Sequence, residues 1–321
     1  MRNLILALLA VVLAPQGWAQ SSPWPTKPVK IMVGAAAGGG TDIIARMLAE
    51  KYQSIYGQPF VIDNRPGAGN TIAADVAAHA TDGHTLLLAT NSAQSIAPHM
   101  LKLSFDPIAD LSAVALVVVV PNVVAVSPAV KATNIRELVA EIKSREPGEY
   151  SCGSSGIGST QHLACEAFGL ATGTKITHVP YKGSAPVLND LIGGQIQLDF
   201  DTTSSAMSFI KSGRIKALAV MTPRRSAELP DIPTLAEAGV AGVEMNTWYG
   251  LFATASMPRE VLARLHAETM KIIAMPEIRK KLEAMGGEPG TLNAEQFAAM
   301  SKADYERFGK LVRAAGIKPE P

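Results

Sequence analysis

Val29-Lys30-Ile31-Met32-Val33-Gly34-Ala35-Ala36-Ala37-Gly38-Gly39-Gly40-Thr41-Asp42-Ile43-Ile44 is a short apolar strand, a glycine-rich turn and the opening of a helix, and its reading decides the fold. The strand is almost wholly apolar, as a strand buried on both faces must be. Beyond the turn, Ile43, Ile44, Met47, Leu48 and Ile55 recur at helical spacing. The alternation continues with a strand from Pro59 to Ile62, a helix from Thr71 to Ala80, an Asp82-Gly83 turn and a strand from Thr85 to Ala89. Strands alternating with helices predict a parallel, doubly wound α/β sheet.

Further along, residues 113–120 and Val123 to Val126 are valine-rich runs split by Pro121-Asn122, which suits two short extended segments better than a helix. A fresh series follows: helix 134–145, strand 149–152, helix 159–171, strand 176–179, helix 185–193, strand 196–200, helix 204–212 and strand 215–221. An extended stretch from Glu244 to Ala253 then precedes helices over Pro258 to Ala274, Pro276 to Met285 and Ala294 to Ala315, with Pro258 and Pro276 in first-turn positions. The extended stretches near 113–126 and 244–253 bracket the second series and act as two hinge crossings. The expected order is therefore lobe 1 over residues 20–122 and 247–321, and lobe 2 over residues 123–246. Ligands of such sheets lie beyond the carboxyl ends of the strands, where the glycine-rich turns fall.

Arg2, an apolar run from Leu4 to Leu13 and Gly17-Trp18-Ala19-Gln20 read as a signal peptide over residues 1–19, cleaved after Ala19. Pro15-Gln16 breaks the run well short of a membrane span, and no cysteine follows the cleavage point for a lipid anchor. The mature protein is expected in the periplasm. Loss of Arg2 takes the formal charge from +1 to neutrality, so nothing draws the chain to nucleic acid or anionic lipid. Cys152 and Cys165, thirteen residues apart, permit one disulfide in an oxidising compartment; two buried thiols, or a metal site shared with His162 one helical turn before Cys165, are the alternatives.

Three turns carry the polar chemistry. The first, Gly34 to Asp42, lets the backbone approach a ligand and ends at a helix N-terminus, whose free N–H groups and dipole suit an anion. Its spacing matches neither a dinucleotide nor a P-loop pattern, and no cofactor is expected; Asp42 reads as a helix cap. The second, Thr90-Asn91-Ser92-Ala93-Gln94-Ser95, places Asn91 and Ser92 at the sheet edge. The third, Gly153-Ser154-Ser155-Gly156-Ile157-Gly158-Ser159-Thr160, again joins glycines and hydroxyls to a helix start. It is not a nucleophile elbow, because Ile157 stands where the second glycine belongs. The six histidines, at 79, 84, 99, 162, 178 and 266, form no metal spacing, and no metal is expected. Burying a carboxylate costs several kcal/mol, roughly the return from three charge-assisted hydrogen bonds, so donors from both lobes must converge on it.

Gly38-Gly39-Gly40-Thr41-Asp42, Asn64-Arg65-Pro66-Gly67-Ala68-Gly69, Asp82-Gly83-His84-Thr85-Leu86-Leu87, Ser154-Ser155-Gly156-Ile157-Gly158, Val179-Pro180-Tyr181-Lys182-Gly183-Ser184-Ala185-Pro186, Phe200-Asp201, Trp248-Tyr249-Gly250-Leu251-Phe252 and Ala314-Ala315-Gly316-Ile317 together resemble the Bug family, the extracytoplasmic solute receptors of tripartite tricarboxylate transporters. The resemblance implies a Venus-flytrap fold of the periplasmic binding protein type, no catalysis, a small carboxylate ligand and transient contact of a monomer with membrane-embedded transporter subunits. By position it assigns the carboxylate grip to Ala36, Gly39 and Thr41 with Asn91 and Ser92, faced by Ser154, Ser155, Gly156, Ser159, Thr160, Tyr181 and Asp201 from the second lobe. Asp201 is then the diagnostic side chain, favouring a solute with an amino group or hydroxyl. The chain departs from the family at Gly34 and Ala37, usually prolines, at His84, usually tyrosine, and at Thr202, usually asparagine. Arg65 and Lys182 read as structural and solvated residues, and Trp248 and Tyr249 as hinge packing. A secreted hydrolase using Ser154 or Ser155 with His162, and a sensor passing its closed form to a signalling protein, are the competing readings.

Overall fold

A computed structural model describes residues 24–314 and 316–317; the expected signal peptide lies outside that range. The first lobe begins with β1 (Val29–Val33), α1 (Gly40–Tyr56), β2 (Phe60–Asn64), α2 (Thr71–Ala78), β3 (Thr85–Thr90) and β4 (Leu111–Pro121). The second holds β5 (Val123–Val126), α3 (Ile135–Lys143), β6 (Ser151–Ser154), α4 (Thr160–Thr172), β7 (Thr177–Pro180), α5 (Ser184–Ile192), β8 (Leu198–Asp199), α6 (Thr203–Lys211) and β9 (Lys216–Val220). The chain then returns through β10 (Asn246–Thr254) to α7 (Arg259–Ala274), α8 (Pro276–Ala284), β11 (Glu288–Pro289) and α9 (Ala294–Ala314).

Two sheets result, in the orders β11-β4-β10-β3-β1-β2 and β7-β6-β8-β5-β9. The expected parallel pairing holds for β2-β1-β3 and for β7-β6-β8. It fails for β10, which runs antiparallel to β3 and β4, and for β5, which runs antiparallel to β8 and β9. The reason is topological: a strand arriving from the other lobe enters at the cleft edge, where its new neighbours end, and can only run against them.

Both sheets are packed on both faces, and side chains alternate accordingly. Val29, Ile31 and Val33 enter one core with Ile44 and Leu48 of α1 and Leu265 of α7, while Met32 enters another with Ala73, Trp248, Phe252 and Phe297. In β5, Val124 and Val126 face Leu163 and Phe168 of α4, whereas Val123 and Ala125 face Val187 and Leu191 of α5. Helix α1 buries Ile44, Met47, Leu48 and Tyr52 on one stripe and ends at Gly57 (φ 68°), whose N–H reaches the Gln53 carbonyl.

Asn122 is the joint between the lobes. It separates β4 from β5, its Nδ2 donates to the Phe200 carbonyl at 2.8 Å, and its Oδ1 accepts from Thr247 Oγ1 of β10 at 2.9 Å. Both crossings are thereby tied to the second lobe's cleft edge. Helix α9 packs against β4 and residues 92–99 of the first lobe. Phe297 near its start lies in a first-lobe core, and Phe308 and Val312 belong to a buried cluster that joins Ile96 and Met100 of that lobe to Leu163, Phe168 and Phe200 of the second.

Candidate ligand-binding site

The strands of both lobes point their carboxyl ends at one cleft, and the lobes are closed on it. Ala36 N donates to the Lys182 carbonyl at 3.2 Å, Gly40 N to Ser205 Oγ at 2.9 Å, and Thr160 N to Ser92 Oγ at 3.1 Å. Between them lies a cavity of about 20 Å³, room for a water-sized group. Its lining comprises Ala35, Gly39, Gly40, Thr41, Asn70 and Thr90 with Ser92 from the first lobe, Ser155, Thr160, Gln161, Ser184, Thr202 and Ser205 from the second, and Thr247 and Tyr249 from β10. No charged side chain is among them. Four helices, α1, α4, α5 and α6, begin at this cavity, so their positive dipole ends converge there.

On the first-lobe side, Asp42 is not the expected cap: Gly39 holds the N-cap position of α1 without a side-chain bond, and Asp42 braces the turn from the helix's first turn. Its Oδ2 accepts from Gly38 N and from Arg46 Nε, both at 2.9 Å, and its Oδ1 accepts from Asn64 Nδ2 at 3.0 Å. Burial works to raise the Asp42 pKa, and the bonds from Arg46, Gly38 and Asn64 outweigh it and hold the carboxyl low. The turn is thus braced from behind. Asn70 sits in the left-handed region (φ 75°) and is 8% exposed, and its Oδ1 has no hydrogen-bond partner among the described residues. Gly34 makes room for it: a Cβ there would stand 2.5 Å from the Asn70 carbonyl oxygen.

The second-lobe wall is organised by a side chain outside the lining. Asp201 Oδ1 accepts from Ser184 Oγ (2.7 Å), Gln161 Nε2 (3.0 Å) and Thr202 N (2.7 Å). Gln161 Oε1 in turn accepts from Ser155 Oγ at 2.8 Å, with Thr160 Oγ1 at 3.3 Å beside it. Asp201 Oδ2 and both oxygens of the neighbouring Asp199 have no partner among the described residues. Burial, then the Asp201 charge, pushes the Asp199 carboxyl well above the ordinary range, and burial raises Asp201 as well. Tyr249 Oη lies 2.7 Å from Ser204 Oγ, and burial raises its pKa to about 12.

Of the residues assigned from sequence, Gly39, Thr41, Ser92, Ser155 and Thr160 line the cavity. Ala36 lies beside it, in the lobe-to-lobe contact with Lys182. Gly156 (φ 118°) packs against Gly69 at the lobe seam, and Ser159 caps α4 by accepting from His162 N at 3.2 Å. Asn91 is wholly buried and donates to the Asn246 carbonyl at 2.9 Å, joining β3 to β10. Tyr181 Oη donates to Asp190 at 2.7 Å, outside the lining. Tyr249, read as hinge packing, lines the cavity instead, whereas Trp248 is core and donates to Asp304. Gln161, Ser184, Ser205 and Thr247 escaped notice in the sequence. A signal existed for the first three, since each stands within three residues of a helix start.

The hydrolase reading lacks its pair. Ser154 Oγ lies 2.6 Å from His178 Nε2, is buried and does not face the cavity, while His162 Nδ1 accepts from Gly158 N. The two imidazoles stack with centroids 3.9 Å apart, and burial lowers their pKa values to about 4 for His162 and, with the His162 charge added, about 3 for His178. Cys152 and Cys165 are bonded, joining β6 to α4. His84 lies at the far end of β3, where its Nδ1 meets the Asp82 carbonyl and its Nε2 accepts from Thr26 N, pinning the segment before β1. Arg65 pairs with Asp63 at the surface. No three potential metal ligands cluster among the described residues, and no described helix is long and apolar enough to cross a membrane.

Residues 44–317 match the family described as tripartite tricarboxylate transporter family receptor. Protein BugT of Bordetella pertussis is 32% identical over 324 residues, 98% of this chain and 98% of that protein. An R. palustris protein solved with adipate superimposes with a TM-score of 0.89 at 35% identity, over 92% of this chain and 100% of that one. MatC of Rhodopseudomonas palustris, solved with bound malate, gives 0.86 at 28% identity, over 90% and 100%.

Proposed function

The chain belongs to the tripartite tricarboxylate transporter receptor family, whose members are periplasmic solute-binding proteins, and on that premise we propose that it captures a small carboxylate between its lobes and delivers it to the membrane-embedded subunits of such a transporter. The observation that carries this reading is the convergence of four helix N-termini on a cavity without a charged side chain. Such a site neutralises an anion with oriented N–H dipoles and offers nothing to a cation or a phosphoryl-transfer reaction. The adipate and malate bound by two relatives support the same ligand class.

In this reading the protein works as a monomer in the periplasm, after removal of residues 1–19. Gly39, Gly40 and Thr41 grip one carboxylate with Ser92, and Ser155, Thr160, Gln161, Ser184 and Ser205 meet the rest of the solute as the second lobe swings in. Ala36, Gly156 and Ser159 shape the backbone of the two turns, and Asn91, Tyr181 and Asp201 hold the walls from behind. The bound acid adds a bridge to the direct contacts between the lobes, so the closed form is the one presented to the transporter.

Thermal unfolding of the purified, solute-free protein against panels of mono-, di- and tricarboxylates, amino acids and aromatic acids tests the proposal. A ligand present at a hundred times its Kd stabilises by about 2.7 kcal/mol. Stabilisation by an acid and not by the corresponding amide is expected; a panel with no stabilising acid would overturn the reading.

A further inference from the structure

The hydroxyl protons of Ser155 and Thr160 in the second-lobe wall are committed, and their direction is fixed from behind. Asp201 Oδ1 takes the Thr202 N–H, which can only donate, and so faces its other partners as an acceptor. Gln161 must therefore turn its amide nitrogen toward Asp201 and Ser184, which leaves its carbonyl oxygen facing Ser155 and Thr160. Ser155 donates to that carbonyl at 2.8 Å. Asn122 Nδ2 donates to the Phe200 carbonyl, so its Oδ1 takes the Thr247 proton, and the Thr247 oxygen is left to accept from Thr160 at 3.0 Å. Ser155 and Thr160 thus spend their protons away from the cavity and turn oxygen lone pairs into it. Across the cleft, Asn70 Oδ1 is a further acceptor, buried in the same lining without a donor among the described residues.

We propose that Asp201 is a positioning residue that sets the polarity of this wall, and that the cleft is thereby selective for a carboxylate carrying a hydroxyl group, whose O–H donates to the acceptor oxygens of Ser155, Thr160 and Asn70. The proposal rests on the carboxylate reading above and narrows it. A hydroxyl fits where an ammonium does not, because no carboxylate lines the cavity and Asp201 Oδ1 already receives three short hydrogen bonds. An unsubstituted acid leaves these acceptors unpaired on closure, the situation in which hydrogen-bonding sites discriminate most strongly.

Isothermal titration of the solute-free protein with succinate, malate and aspartate, and with glutarate, 2-hydroxyglutarate and glutamate, reads the preference directly. The expected result is that the hydroxy acid of the better-fitting length binds at least about tenfold more tightly than both its unsubstituted and its amino counterparts, about 1.4 kcal/mol. In Asp201→Asn, whose amide can offer N–H toward Gln161 and release its orientation, the ratio of hydroxy to unsubstituted affinity falls toward unity. A purely structural role for Asp201 would instead weaken both acids alike. Ser155→Ala, which removes one acceptor and leaves the Asp201 cluster in place, lowers the same ratio and serves if Asp201→Asn does not fold. Tight binding of unsubstituted or amino acids in preference to hydroxy acids overturns this inference and leaves the carboxylate reading standing. Binding of no acid in either series or in the wider panel overturns both.

Discussion

Asp199 is enclosed on every side, with neither carboxyl oxygen partnered among the described residues. Its folded pKa lies above the unfolded value of 3.8, so the stability it contributes is complete below that value and is lost as pH rises toward the folded one. Asp199→Asn carries no charge to bury. Urea unfolding is expected to show the variant gaining on the wild type as pH rises above about 4, by about 1.4 kcal/mol for each unit of pKa elevation; a pH-independent difference would refute it. His162 and His178 act in the opposite direction. Their folded values of about 4 and about 3 lie below the usual 6.5, so the stability they contribute is present above 6.5 and is lost as pH falls through the folded values. His178→Gln should therefore flatten the acid limb of the stability profile between about pH 6.5 and pH 4. Sequence marked Asp201 as the residue to watch, and it is the root of the wall, but no sequence pattern reveals that a carboxylate faces away from the solute. Tyr249 and Thr247 were illegible for a related reason: they lie on a long crossing strand whose middle looks like any core strand.

At the scale of elements, the N-terminus of α1 closes to contact distance with α6. A Cβ on Gly40 would overlap Ser204 Oγ and stand 2.9 Å from Tyr249 Oη, although its own backbone conformation accepts alanine. Gly40→Ala is expected to leave the unfolding midpoint of the solute-free protein within a few degrees of wild type, yet weaken solute binding by tenfold or more, on the order of the 1–3 kcal/mol of an overpacked contact. Unchanged affinity would show that closure does not reach this far in solution. The bond between β6 and α4 closes a loop of thirteen residues in sequence separation, for which chain entropy gives about 3 kcal/mol. The Cys152→Ser, Cys165→Ser double variant should unfold at correspondingly lower denaturant. Most strands and helices were legible from period and from turn residues, within one to three residues at their ends. The strand direction of β5 and β10 was not, because it depends on where a strand enters its sheet and not on its own residues.

For the whole molecule, the two-lobed arrangement was readable from two valine-rich or extended crossings around a second βα series, since a chain that leaves one sheet and returns to it leaves two such marks. The route of α9 was not readable: its amphipathic pattern shows that it has a buried stripe, not that its far end joins a cluster in which residues of both lobes meet. The uncharged lining of the cleft has a further consequence, for how fast and under what conditions solute is caught. Without lysine or arginine in the lining, a bound acid meets no cationic side chain whose attraction salt would screen. Between about 0.1 and 1 M salt, where the Debye length shrinks from about 10 to 3 Å, stopped-flow association rates and affinity are expected to change by less than about threefold. A receptor built on oriented peptide dipoles can thus scavenge equally well in dilute and in saline surroundings.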